Sequence, residues 1–363
     1  MPEELVERAR RLGHEIFAPL VERGEPGRVN RPLVKALGEK GLLELALVGS
    51  ASELCALREG LAHGCTEAET ALALQGLGGH PILASRLRDE WMPQLLSGEA
   101  VAAFALSEPD AGSDAAALAL RAEQDGEGYR LTGTKAWISN APDADVYAVF
   151  ARTGEAGPRG VTAFVVPRES KGLSGEPIEL IAAHAVGRLD FADVPVGAEQ
   201  VIGEVGGGFT VAMQTLDLFR PSVGAFAVGM AQAALDAAVA HTAQREAFGR
   251  PLAALQGVSH QLAEVATSIQ AARLLVRDAA RQYDEGVRPV RKASAMAKLF
   301  ATETAQKAVD VAIQVHGARA LERGHLLEHL YREVRAPRIY EGASEVQREI
   351  IARELIKELE SQA

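Results

Sequence analysis

The sequence predicts an α+β multidomain protein: an N-terminal helical domain, a middle antiparallel β-barrel or sandwich, and a C-terminal four-helix bundle. Three observations carry this expectation. Apolar residues recur at helical spacing over 1–99, gather into short β-rich runs over 100–207, and return to helical spacing over 208–363. A chain of 363 residues is long enough for two or three such domains.

In the first region Leu33, Leu37, Leu42 and Leu45 lie three to five residues apart, a helical pattern with a break expected at Gly41. Larger breaks are expected at Gly24 to Gly27 and Gly76 to Pro81. In the middle region the runs starting at Tyr129, Val146, Val161 and Leu189 are rich in β-formers and separated by Gly, Pro and Asp clusters. No helical stretch of crossover length separates them, so the strands are expected to pair antiparallel. Further on, Leu262, Val265, Ile269, Ala272, Val276, Ala279 and Tyr283 form one stripe along a helix that Gly286 and Pro289 end. A helix over about 291–316 carries Met296, Leu299 and Phe300 on one side and stops at Gly317. An earlier one is expected over roughly Pro221–Ala247, and the amphipathic segment Val346 to Leu359 completes the four. Short links make consecutive helices neighbours, hence the bundle.

Composition narrows the function. Lys and Arg number 38 against 49 Asp and Glu, a net charge of −11, which is not the footprint of a general nucleic-acid binder. Cys55 and Cys65 fit neither a disulfide framework nor a zinc cluster and read as reduced thiols. The N-terminal residues lack the apolar core of a secretory signal, and the longest apolar runs, such as Val223 to Ala231, fall short of the roughly 20 residues a membrane span needs. A cytoplasmic protein without a membrane or nucleic-acid partner is expected.

Several stretches are candidates for chemistry. His325-Leu-Leu-Glu-His329 has the H-x-x-E-H spacing of a zinc peptidase, but charged neighbours favour a solvated helical turn, so no metal is expected. Gly203 to Gly208 lacks the dinucleotide spacing and reads as a flexible link. Ser107-Glu-Pro-Asp-Ala-Gly-Ser-Asp114 enforces a turn whose N–H groups and hydroxyls are able to meet a ligand. Gln244 to Pro251 joins Arg245 and Arg250 to an aromatic at a helix end, where cations suit the dipole or hold a phosphate. Arg338-Ile-Tyr-Glu-Gly-Ala-Ser-Glu-Val-Gln347 places Glu341 in an apolar and aromatic run directly before Gly342. That carboxylate reads either as an ordinary acid at a helix start or as a desolvated base, since burial raises its pKa.

Taken together, six collinear pieces resemble the acyl-CoA dehydrogenase family of flavoproteins. They are Ala105 to Asp114, Leu131 to Asn140, Asp217 to Pro221, Arg245 to Leu252, Gln314 to Gly317 and Ile339 to Gln347. The resemblance implies an FAD-dependent oxidation of an acyl-CoA thioester to the trans-2-enoyl-CoA. In it Glu341 removes the α-proton, the β-hydride goes to flavin N5, and electrons leave to an electron-transfer flavoprotein. It also implies that Phe104, Leu106, Ser107, Trp137, Ile138 and Ser139 line the isoalloxazine. Arg245, Phe248, Gln256, Gln314 and Gly317 would hold the rest of FAD, partly from a neighbouring subunit of a homodimer or homotetramer. Ser113, Asp217, Arg220 and Gly342 match acyl-CoA positions. Phe219 stands where some members place the base, which leaves Glu341 as the candidate and adds bulk to the acyl pocket. Ala343 stands where a flavin-contacting Thr is frequent, and Ala318 where a second Gly is usual. Alternatives within the fold are an acyl-carrier-protein substrate, oxygen as acceptor, or a flavin-binding relative that performs no dehydrogenation.

Overall fold

The computed structural model describes residues 2–287 and 289–362. Seven α-helices precede the first strand: α1 (Pro2–Leu12), α2 (Ala18–Val21), α3 (Arg31–Glu39), α4 (Leu42–Val48), α5 (Ala51–Gly64), α6 (Thr66–Gly79) and α7 (Arg88–Ser97). The break between α3 and α4 falls at Gly41, whose φ of 71° is the left-handed conformation that glycine adopts without a Cβ penalty. Asn30 caps α3 by accepting from Leu33 N at 3.1 Å, and Ser50 and Glu53 close a capping box on α5.

Strands follow: β1 (Ala102–Ala105), β2 (Arg121–Asp125), β3 (Gly128–Ser139), β4 (Val146–Arg152), β5 (Val161–Pro167), β6 (Leu173–Pro177), β7 (Val186–Val196) and β8 (Val201–Ile202). They form one eight-stranded sheet in the order β6-β7-β3-β2-β4-β5-β8, with β1 beside β4. Most pairs are antiparallel, but β1 runs parallel to β4 from Ala102↔Val146 to Ala105↔Val149, and β2 meets β4 in parallel at Arg121↔Arg152. This corrects the all-antiparallel expectation. The β2–β3 hairpin itself supplies the long connection that a parallel return needs, so no crossover helix is required.

The helices α8 (Gly208–Gln244), α9 (Gln256–Asp284), α10 (Arg291–His316), α11 (Leu326–Glu333) and α12 (Ser344–Gln362) complete the chain, with a short hairpin of β9 (Glu246–Ala247) and β10 (Arg250–Pro251) after α8. The stripe foreseen on α9 is the buried one: Val265, Ile269, Ala272, Val276 and Ala279 are all in the core. On α10 the small residues, Ala295, Ala297, Ala301 and Ala305, are buried, whereas Phe300 on the expected face is 40% exposed.

The helix α8 departs most from expectation. It starts at Gly208 and runs through Pro221 without ending there. Proline removes one backbone hydrogen bond and crowds the carbonyl four residues back. Nearly every side chain from Leu218 to Ala234 is buried, and that burial outweighs the local loss. By length and composition α8 is also apolar enough to cross a membrane, contrary to the expectation from apolar runs, and 72% of the qualifying window is buried within the protein. The expected flexible link at Gly203 to Gly208 is instead pinned: Gly206 N donates to Thr162 Oγ1 at 2.9 Å, and a Cβ on Gly208 would lie 2.5 Å from Ala163 N.

Contacts group the chain into two compact units. One consists of residues 1–16, 50–69 and 217–363, and the other of residues 17–49 and 70–216. The first is helical, and small residues let its helices approach closely. A Cβ on Gly60 of α5 would meet Val6 O at 2.2 Å, and one on Gly229 of α8 would meet Glu59 O at 2.3 Å. The second unit holds the whole sheet. The N-terminal helical stretch is thus shared between the units.

Candidate active site

In the helical unit, Glu341 lies in the turn between α11 and α12. Its φ is +51°, an uncommon conformation for a residue with a Cβ, and Gly342 follows at +97°. Four hydrogen bonds hold this turn. Arg220 Nε donates to Glu341 O at 3.3 Å, and Gln347 Nε2 donates to the same oxygen at 3.2 Å. Gln347 Nε2 also reaches Gly342 O at 2.9 Å, and Lys298 Nζ donates to Gly342 O at 2.7 Å. The backbone is fixed, while the carboxylate is not: Glu341 Oε2 is closed off from water and has no hydrogen-bond partner.

Electrostatics act on that carboxylate in opposite directions. Burial raises its pKa from the ordinary 4.5, and the cations of Arg58, Lys298 and Arg220 pull it back, leaving a net rise. Lys298 is itself lowered to about 8 by burial, despite the anion of Glu341. Arg220 is buried beside Asp217, which accepts from its Nη1 at 3.1 Å, and burial lowers it too. Arg58, fully enclosed, pairs with Glu69 and donates from Nη1 to Ser222 Oγ at 2.7 Å. Phe219 is fully buried and holds no proton acceptor.

In the sheet unit, two stretches singled out in the sequence lie side by side. Ala136 N donates to Ser107 O at 3.1 Å, and Lys135 Nζ donates to Leu106 O at 2.9 Å and Glu108 Oε1 at 2.8 Å. Glu108 also accepts from Ala119 N at 2.6 Å and Leu120 N at 2.9 Å, which fixes the 107–114 turn. The pairing of β3 with β7 breaks between Lys135 and Ile138, and Trp137 at the break has a φ of 56° and is 53% exposed. Phe104 packs on Phe150 with ring centroids 4.8 Å apart, Ile138 is buried, and Ser139 and Ser107 are half-buried. Ser113 is exposed on its turn and has no described contact with the rest of the candidate set.

A flavin fits this edge. Trp137, exposed on the strand whose Ala136 meets Ser107, offers an apolar face that a planar heterocycle would cover. On the helical unit, Phe248 sits at the tip of the β9–β10 hairpin with a φ of 54° and 91% exposure. Arg245, Gln256, Gln314 and Gly317 are exposed as well, so this group is open to another molecule and is not part of the packed base cluster.

The two histidines of the H-x-x-E-H stretch have different partners. His325 caps α11, its Nδ1 accepting from Leu327 N at 3.1 Å, and its ring meets the edge of His316 at 5.6 Å. His329 Nε2 instead contacts Thr66 Oγ1 at 2.6 Å. Among the described residues, no group of His, Cys, Asp and Glu is arranged to hold a metal. Sequence reasoning missed Lys298, Arg58, Glu69, Lys135 and Gln347, all buried and polar. Of these, Lys135 and Gln347 lay within stretches already singled out, Leu131 to Asn140 and Arg338 to Gln347.

A carboxylate with an unpartnered, closed-off oxygen, held through its backbone among buried cations, is the arrangement that a proton acceptor in a dry site would need. Comparison with known proteins gives the class. The model of the acyl-CoA dehydrogenase middle domain matches residues 103–194, and that of the C-terminal domain matches residues 206–356. Cyclohexane-1-carbonyl-CoA dehydrogenase of Geobacter metallireducens is 34% identical over 98% of this chain and 97% of its own length. The mitochondrial short-chain specific acyl-CoA dehydrogenase of Sus scrofa is 39% identical over 90% of this chain and 83% of its own. The structure of butyryl-CoA dehydrogenase from Megasphaera elsdenii superposes with a TM-score of 0.91 at 31% identity, covering 98% of both chains. The chain belongs to the acyl-CoA dehydrogenase family and is an oxidoreductase acting on acyl-CoA.

Proposed function

We propose that the protein is an FAD-dependent dehydrogenase that converts a short acyl-CoA to the trans-2-enoyl-CoA, with Glu341 as the base. The unpartnered, water-excluded Oε2 of Glu341 carries this reading. A carboxylate in that state accepts a proton near neutral pH more readily than a solvated one. The left-handed turn and its four hydrogen bonds fix the backbone from which the carboxylate extends, which limits the reorganisation that proton transfer requires. The cations of Arg58, Lys298 and Arg220 pull its pKa back toward the ordinary range, and none of the three donates to Oε2. FAD, when bound, supplies the acceptor for the β-hydride. Phe104, Leu106, Ser107, Trp137, Ile138 and Ser139 would hold its ring. Arg245, Phe248, Gln256, Gln314 and Gly317 would reach a cofactor shared with a neighbouring copy, which supports a homodimer or homotetramer. Asp217, Arg220, Ser113 and Gly342 would receive the thioester.

An electron-transfer flavoprotein is the proposed acceptor, and the cytoplasm the proposed compartment. The two free, buried thiols Cys55 and Cys65, both pushed up to about 12, suit a reducing environment. Anaerobic addition of butyryl-CoA to the flavin-loaded protein should bleach the flavin absorbance. Glu341→Gln should keep the flavin and lose the bleaching. Wild-type bleaching by Glu341→Gln would overturn the assignment of the base.

A further inference from the structure

Arg58 of α5 and Glu69 of α6 form an ion pair whose side chains are 3% and 1% exposed. Removing two charges from water costs several kcal/mol per ion, and well-packed apolar residues of similar volume often serve stability as well or better. The arrangement around the pair points to a second use. Arg58 Nη1 donates to Ser222 Oγ at 2.7 Å, and that hydroxyl donates in turn to Phe219 O at 2.6 Å. The guanidinium also lies 5.8 Å from the centre of the Phe226 ring. Nε is committed to Glu69. The remaining nitrogen, Nη2, donates to no acceptor among the described residues, yet it is not among the atoms sealed from water. It is an open donor in an otherwise closed cluster.

Two observations locate that donor. Phe219 and Ser222 belong to the turn of α8 that also delivers Arg220 to the backbone of Glu341. Among the cations acting on the Glu341 carboxylate, Arg58 is the foremost. Arg58, the Phe219–Ser222 turn and the Glu341 turn therefore belong to one cluster, and the donor lies within it.

We propose that Arg58 determines the acyl specificity of this protein and that its Nη2–H selects a short acyl group bearing a neutral oxygen acceptor, such as a hydroxyl, beyond Cβ. The proposal rests on the acyl-CoA reading above. Arg58 is already neutralised by Glu69, so a substrate carboxylate would add an anion beside Glu69 and Glu341 with no cation of its own. A plain alkyl tail would cover the donor and leave it unpaired, which costs about 1–3 kcal/mol. A hydroxyl avoids both penalties.

The test compares 4-hydroxybutyryl-CoA with pentanoyl-CoA, which differ by hydroxyl for methyl at one position, as anaerobic reductants of the flavin in the holoenzyme. Wild type is expected to favour the hydroxy thioester by about tenfold or more in rate over dissociation constant. Arg58→Met should bring that ratio to about one, and Arg58→Lys, which keeps a donor, should restore part of it. The double variant Arg58→Met with Glu69→Met removes the unpaired carboxylate and should show the same loss of preference. A purely structural role for the pair would change both rates together and leave the ratio intact. A wild-type preference for pentanoyl-CoA or glutaryl-CoA, or a ratio that survives Arg58→Met, overturns the proposal. If neither thioester reduces the flavin, the dehydrogenase reading fails separately. The two dissociation constants, measured by calorimetry, then decide: equal values in wild type overturn the proposal, and a preference abolished by Arg58→Met upholds it.

Discussion

Glu108 in the sheet unit and Glu341 in the helical unit are both glutamates in glycine-bearing turns, and the fold treats them in opposite ways. Glu108 is 5% exposed and receives two backbone N–H groups and the ammonium of Lys135. Its oxygens are occupied, and it holds the 107–114 turn against β3. Lys135 is lowered to about 8 by burial, with Glu108 pulling it back up, so the pair depends on both partners being present. Glu341 has its backbone occupied and one carboxylate oxygen bare. The residue type is the same; what differs is which atoms are satisfied. A filled carboxylate is a fastener, and a bare one held by its own main chain is available for chemistry.

The comparison is open to attack in order of expected effect. Glu341→Gln should slow flavin reduction by several orders of magnitude, because the variant has no acceptor for the proton. Stopped-flow absorbance reads this directly, and a loss under tenfold would put Glu341 in the same class as Glu108. Glu108→Gln should act on stability instead. It leaves Lys135 buried without a counter-charge, and breaking a buried pair costs about 3–5 kcal/mol. Urea unfolding would show it, and an unchanged midpoint would mean that the sheet unit does not need the clamp. Gly342→Ala is expected to cost less, about 1–3 kcal/mol, since it forces a side chain into a φ of +97°. Its Cβ would also lie 2.4 Å from Gln347 Nε2, so flavin reduction should fall along with stability.

The smallest effect is on pH dependence. Because the folded-state pKa of Glu341 is raised, its contribution to stability is present at acid pH and lost as pH climbs from the ordinary 4.5 through the raised value. Glu341→Gln has no such proton to lose. Its unfolding midpoint should therefore gain on wild type as pH rises above the ordinary 4.5, and scanning fluorimetry across that rise would reveal parallel curves if the carboxylate were solvated.

Much of this was legible beforehand, and the residues show why. Glu341 stood out because an acid between Tyr340 and a glycine is odd locally, and the oddity has a local cause, the left-handed turn. Phe248 was visible as an aromatic between two arginines at a helix end, whereas Trp137 lay in an ordinary-looking strand run and was singled out only by the family resemblance. Lys298, Arg58 and Glu69 were not visible, since each is an unremarkable residue on an ordinary helix. Their meaning comes from distant segments arriving at one place, as when Arg58 meets Ser222, 164 residues further on. The course of α8 through Pro221 was hidden for a related reason: a local breaker was overridden by burial along the rest of the helix. The parallel β1–β4 pair was hidden because a hairpin did the work that a helix usually does.

The interleaving of the two units has a consequence for how the molecule is made. The polypeptide passes from one unit to the other at residues 16–17, 49–50, 69–70 and 216–217. When a ribosome has released the first 216 residues, the sheet unit is complete in sequence, whereas α1 and α5 still await the helices they pack on. Arg58 and Glu69 are then already synthesised, with Ser222 yet to emerge. Assembly of the buried cluster around Glu341 must therefore be a late, long-range event, and slow by the measure of sequence separation. For the same reason, no single cut in the chain would release the helical unit intact.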